Sequence, residues 1–220
     1  MRILALDSAL ARCSAGIVVD GELIASRQQD VARGHAALLP DMVAEVLTEA
    51  GLAAGALDFM AVTVGPGSFT GVRAGLALAH GIALPAGLPV IGVTVGEALA
   101  DALPHLGGRA FWSAVDSRRG RVFIERDGAV AAHALDVLPL PAGRVAVGGD
   151  AAIAVAGRLA ARGVDVMLTD ARLPLVRHVA MAGLARRTGA LPPRPAQPLY
   201  VDEPEAKLPA GGLRPPPTAP

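Results

Sequence analysis

The chain has 220 residues, 52 % hydrophobic and only 3 % aromatic, with 20 basic and 20 acidic side chains that cancel. This length suits one large domain or two small ones, and Ala, Val, Leu and Ile must fill the core. The neutral balance excludes a general basic field for gripping RNA, and the single Cys13 excludes an internal disulfide and fits a reducing cytosol.

Arg2 to Leu6 reads as a buried strand and Ser14 to Val19 as its neighbour, with Asp7 too early to leave room for a secretory apolar region. Asp20-Gly21 is a two-residue hairpin signal leading into a third strand, Glu22 to Arg27. From about Ala36 to Ala50, Leu39, Met42, Val43, Val46 and Leu47 recur at spacings of three and four, the mark of one apolar helix face. Pro40 either kinks that helix or lies close to its true start. A strand at Phe59 to Val64, a helix at Thr70 to Leu84 and a strand at Val90 to Thr94 follow. The stretch Ala74 to Gly96 has no charged residue, but its five glycines, Pro85, Pro89 and His80 argue against a membrane span, so no membrane is expected.

A thinner copy of the same order begins near Ala110. Phe111 to Val115, Arg121 to Arg126 and the turn Asp127-Gly128 echo the opening strands. A strand at Val145 to Val147 and helices at Ala151 to Arg162 and His178 to Thr188 complete it. Periodicity alone therefore gives an α/β chain with two similar halves. The expected division is 1–104, 105–200 and a Pro-rich disordered tail, 201–220.

Two places carry chemistry. After the β-branched run ending at Val64, Gly65-Pro66-Gly67 forces a sharp turn, and Ser68 or Thr70 can cap the next helix. Backbone N–H groups at such a helix start attract anions, yet the lysine and spacing of a P-loop are missing, and a tight strand-to-helix turn is the simpler explanation of the glycines. Asp7 and Ser8, ending the first strand, are the second place. They form a phosphate site only if they converge with Gly65, Pro66 and Gly67. The helix from Thr70 is thin and smooth, with Gly71, Ala74, Gly75 and Leu78 along it. An interior glycine costs about 1 kcal/mol against alanine, so a close backbone should offset it, from the chain's own sheet or from another subunit. The arginines at 118, 119 and 121, and the pair Arg186–Arg187, read as solvated loop and helix-end groups.

Four segments resemble one family in its own order: Ile3 to Ser8 with Cys13-Ser14-Ala15-Gly16, Asp58 to Glu97, Val115 to Phe123, and Pro198-Leu199-Tyr200. The family is the dimerization subunit (TsaB, or YeaZ) of the bacterial machinery that makes threonylcarbamoyladenosine in tRNA. The resemblance implies an actin/sugar-kinase/heat-shock-ATPase-like α/β fold of two similar subdomains, each a mixed sheet flanked by helices. It implies a non-catalytic cytoplasmic subunit that pairs with a metal-binding catalytic paralogue as a heterodimer, meets tRNA only indirectly, and can self-associate. ATP and Mg²⁺ would act at the level of the complex, through its ATPase subunit, with no intrinsic cofactor here. The paralogue's two metal-holding histidines align with Val95 and Leu99, which offer no donor atom. The partner face implied by the family's four-helix pairing includes Leu39, Val43, Val46, Gly71, Ala74, Gly75 and Leu78. Three positions depart from the family pattern: Arg121, Phe123 and Asp202. The rival expectation is a small ATP-dependent enzyme of the same fold, using Asp7, Ser8 and the Gly65–Gly67 loop.

Overall fold

A computed structural model describes residues 1–31 and 34–201. The expected disordered tail, with Asp202, lies outside the described residues apart from Val201.

β1 (Arg2–Asp7), β2 (Arg12–Val19) and β3 (Glu22–Asp30) form an antiparallel meander. Asp20 and Gly21 turn its first hairpin, both at positive φ (49° and 89°), as the Asp-Gly signal requires. The chain then runs through α1 (His35–Glu49), β4 (Phe59–Gly65), α2 (Phe69–Ala86), β5 (Val90–Thr94) and α3 (Val95–Asp101). β4 lies parallel to both β1 and β5, giving the order β3-β2-β1-β4-β5. Pro40 sits in the second turn of α1, close to its start.

The second half repeats the pattern with β6 (Ala110–Asp116), β7 (Arg121–Arg126), β8 (Ala129–Ala134), β9 (Val145–Gly148), α4 (Ala152–Ala160) and β10 (Val166–Leu168). Its sheet order, β8-β7-β6-β9-β10, matches the first strand for strand. Two mixed sheets of this order, flanked by helices, make the actin/sugar-kinase/heat-shock-ATPase-like fold.

Alternation along the central strands assigns the faces. Leu4, Leu6, Met60, Val62 and Val64 share one core with Leu39, Val43, Val46, Val72 and Leu76 of α1 and α2. Ile3, Ala5, Phe59 and Ala61 point the other way, onto Val176, Val179, Ala180 and Ala182 of α5 (Val176–Arg187). The second sheet packs Trp112, Ala114, Val122 and Ile124 against Val155 and Leu159 of α4.

This corrects the domain division. Helix α5 belongs by position in the chain to the second half, yet it covers the first sheet. The segment after it also returns there, with the Leu199 N–H donating to the Val64 carbonyl (2.8 Å). Apolar pairing decides this, because the α5 face is needed to cover Ile3, Ala5, Phe59 and Ala61. The second subdomain is therefore an insertion within the first. Among the described residues no helix is long and apolar enough to cross a membrane.

Candidate functional site

The β1 end and the β4–α2 turn do converge. The Asp7 carboxylate is buried, and its Oδ1 accepts from the Thr63 hydroxyl (2.7 Å) and the Ala9 N–H (3.1 Å). Its Oδ2 is also buried and has no hydrogen-bond partner among the described residues. Burial is the main cause that pushes the Asp7 carboxyl up to about 6, against the opposing pull of Thr63. The Ser8 hydroxyl donates to the Gly71 carbonyl (2.9 Å), and the Ser68 side chain caps α2 by accepting from the Gly71 N–H (3.1 Å).

The same contacts draw the two loops tightly together. The Ser68 N–H donates to the Ala9 carbonyl (2.7 Å), so that turn donor already has an acceptor. A Cβ on Gly67 would overlap the Ala9 carbonyl, and one on Gly71 would overlap the Ser8 carbonyl. Gly65 needs its φ of 107° to enter the turn, and the Gly65–Pro66 peptide is cis. Asp7, Ser8, Gly65, Pro66 and Gly67 thus meet as a packed joint between two loops.

The helix candidates divide between two faces. Leu39, Val43, Val46, Gly71 and Gly75 turn inward. A Cβ placed on Gly75 would lie only 2.6 Å from the Ser8 Oγ, so the close neighbour that offsets these glycines is the chain's own. This corrects the face on which those five residues were expected. Ala74 and Leu78 remain half-exposed on the outer side of α2, beside exposed Ala77, Gly81 and Leu84. Leu84 is 84 % exposed, and nothing lies within 4 Å of a Cβ placed on Gly81.

At the start of α3, Val95 and Leu99 are buried in the apolar core. Thr94 and Glu97 form a reciprocal capping box there (3.0 and 2.8 Å). Glu125 of β7 reaches across from the second subdomain. It accepts from the Thr94 hydroxyl (2.5 Å) and the Gly96 N–H (3.0 Å), in space that a Gly96 Cβ would occupy. Burial, followed by the nearby Glu97 charge among the raising causes, lifts the Glu125 carboxyl to about 7.

Arg186 corrects another expectation. It is buried, bonding Glu97 Oε1 (2.5 Å), the Pro192 carbonyl (2.7 Å) and the Gly92 carbonyl. Its carboxylate partner lies 89 positions away in sequence, out of reach of any local pattern. Arg187 is exposed as expected, with its guanidinium 5.7 Å from the Phe59 ring centre. Arg118 is exposed and paired with Asp116 (3.4 Å) and Asp150 (3.1 Å). Of the departing positions, Arg121 opens β7 at the surface and bonds the Ala132 carbonyl (3.2 Å). Phe123 packs half-buried on the first core. Among the described residues no three His, Cys, Asp or Glu side chains cluster as metal ligands would.

A family model described as TsaD, tRNA N6-adenosine threonylcarbamoyltransferase, matches residues 22–136, just over half of the chain. The tRNA threonylcarbamoyladenosine biosynthesis protein TsaB of Escherichia coli (strain K12) is 39 % identical over 124 residues, 56 % of this chain and 53 % of that protein. The chain thus spans about half the length of that curated relative. An uncharacterized protein of Mycobacterium tuberculosis (strain H37Rv) is 32 % identical over 220 residues, 93 % of each chain. The solved structure of YeaZ from Pseudomonas aeruginosa superposes with a TM-score of 0.74 at 28 % identity, covering 90 % of this chain and 99 % of that one. Sequence motifs, duplicated sheets and relatives agree, and the chain belongs to the TsaB (YeaZ) family, within the group that the TsaD family model describes.

Proposed function

We propose that the chain serves the formation of threonylcarbamoyladenosine in tRNA as a non-catalytic subunit, pairing with a related metal-binding subunit that performs the transfer. The outer face of α2 carries this reading. Ala74, Ala77 and Gly81 form a low stripe along it, and Leu78 and Leu84 flank the stripe with apolar surface. Small side chains let a second helix approach closely, and an exposed apolar face favours a partner. The paralogue would approach here, with ATP turnover left to a separate ATPase subunit.

The reading of no chemistry rests on α3. Val95 and Leu99 hold apolar core positions where the paralogue carries its metal-binding histidines, and coordination needs N, O or S donors. The contribution to transfer is then binding energy that holds the partner in its active form.

Mixing the chain with the metal-binding paralogue of the same organism, with light scattering as readout, tests this. A one-to-one complex is expected. Ala77→Glu, which buries a charge in that contact, should weaken the complex at least about tenfold and leave the chain's own Tm unchanged. Transfer by the isolated chain, or a complex indifferent to Ala77→Glu, would overturn the reading. Self-association alone would point to a homodimer on the same face. Micromolar nucleotide binding lost in Asp7→Ala would instead support the ATP-dependent enzyme.

A further inference from the structure

As an insertion, the second subdomain is joined to the first by two connections, residues 102–109 and 169–175. It closes its own core around Trp112, Ile124 and Leu159, so it can move as one body. Where it meets the first half, Val115 and Phe123 rest on the core that holds Val95 and Leu99 of α3. Beside them Glu125 crosses the joint to the Thr94 hydroxyl and the Gly96 N–H.

Two carboxyl groups meet at that helix start. Glu97 is committed as a carboxylate, since Arg186 of α5 bonds its Oε1 (2.5 Å) and Arg194 lies 3.8 Å from the same atom. Glu125 is only 5 % exposed and has no ion pair among the described residues. Its neighbours across β6 and β8 are uncharged, Ser113 and Val130. The Glu97 charge opposes its ionisation, and Arg194 favours it more weakly. Of the two carboxyls, Glu125 is therefore the one that keeps a proton.

A neutral Glu125 retains both contacts, because Oε1 can carry its proton toward the Thr94 Oγ1 while Oε2 accepts from Gly96. An ionised Glu125 is a buried charge beside a second carboxylate, and reaching water relieves it.

We propose that Glu125 is a proton-dependent latch: with its proton on, it holds the second subdomain against α3, and losing that proton lets the subdomain swing away on its two connections with both sheets intact. The proposal does not depend on the pairing role of α2. The closed form holds the carboxyl at about 7, and the open form returns it to the ordinary 4.5, so closure binds the proton. The latch is thus fully present below about pH 4.5 and weakens as pH rises to about 7.

Amide hydrogen exchange at pH 5 and pH 7.5, corrected for the intrinsic rates, tests it. Protection over Thr94 to Leu99 should fall about fiftyfold between the two. At both pH values it should stay below that of Ile3 to Leu6 and of Val145 to Val147, which marks local opening. Glu125→Gln supplies a donor and an acceptor of the same shape, and should hold the pH 5 protection at both. Glu22→Gln, at an exposed carboxyl of β3, should leave the fall unchanged. No fall in the natural chain, or an equal fall in Glu125→Gln, would overturn the latch. Protection over Thr94 to Leu99 equal to that of the two sheets would overturn the hinge, since exchange would then need complete unfolding.

Discussion

In both halves a parallel strand hands the chain to a helix through glycine, and the two helices then behave differently. Helix α2 follows β4 through Gly65 to Ser68 and presses on the β1 end, with Gly71 and Gly75 against Ser8. Helix α4 follows β9 through Gly148 and Gly149, and its own Gly157 faces open space. The aspartates closing the first strand of each half divide likewise. Asp7 is sealed beneath Thr63 and Ala9, whereas Asp116 lies in a surface network with Arg118 and Asp150. Strand order fixes where a turn comes, and the covering elements decide whether that turn is buried. In the first half α1, α2 and α5 provide the cover. In the second half α4 covers one face, and α3 lies between the halves against β4, β5 and β6.

The sharpest way to break this comparison is a pair of matched substitutions. Gly75→Leu should cost on the order of 3–5 kcal/mol or prevent folding, because the side chain must displace Ser8. Gly157→Leu should be neutral or stabilising by up to about 1 kcal/mol, since a helix glycine in open space is only an entropic liability. Urea unfolding of the two variants measures both, and equal losses would sink the contrast.

A pH series probes the sealed carboxyls next. Asp7 and Glu125 are held at about 6 and about 7, above their ordinary values of 3.8 and 4.5. The folded chain therefore binds these protons more tightly than the unfolded chain. Their contribution is fully present below about pH 4 and is lost as pH rises through about 4 to 7. Each carboxyl accounts for a loss on the order of 3 kcal/mol. Glu125→Gln should flatten the upper part of that fall, and an unchanged slope in the variant would contradict the burial assigned to Glu125.

The smallest expected effect lies in the open half. Arg118→Ala removes two ion pairs of an arginine whose side chain is 66 % exposed, and should cost less than about 1 kcal/mol. A larger loss in thermal unfolding would mean that the Asp116 turn is as tightly built as the Asp7 turn.

These contrasts also explain what could be read in the sequence. The hairpins at Asp20-Gly21 and Asp127-Gly128 were legible because positive φ at both turn positions restricts the residues allowed. The face of α1 was legible from the spacing of Leu39, Met42, Val43 and Val46. Helix α3 was missed because it follows β5 without a breaker, although Thr94 and Glu97 at capping-box spacing were a usable signal. β10 has only three residues, too few for periodicity to register.

The site was less legible. Gly71 and Gly75 announced a close neighbour without saying which. The Arg186–Glu97 and Glu125–Thr94 contacts join distant parts of the chain, so no local pattern encodes them.

The return of α5 to the first sheet has a consequence for biosynthesis. As the polypeptide leaves the ribosome, residues 110–168 can close their own core while Ile3, Ala5, Phe59 and Ala61 still lack the α5 face. The part made first is finished last, and its exposed apolar strands must wait for Val176 to Ala182. Slow elongation late in the message would lengthen the interval in which a chaperone, or another nascent copy, can reach that surface.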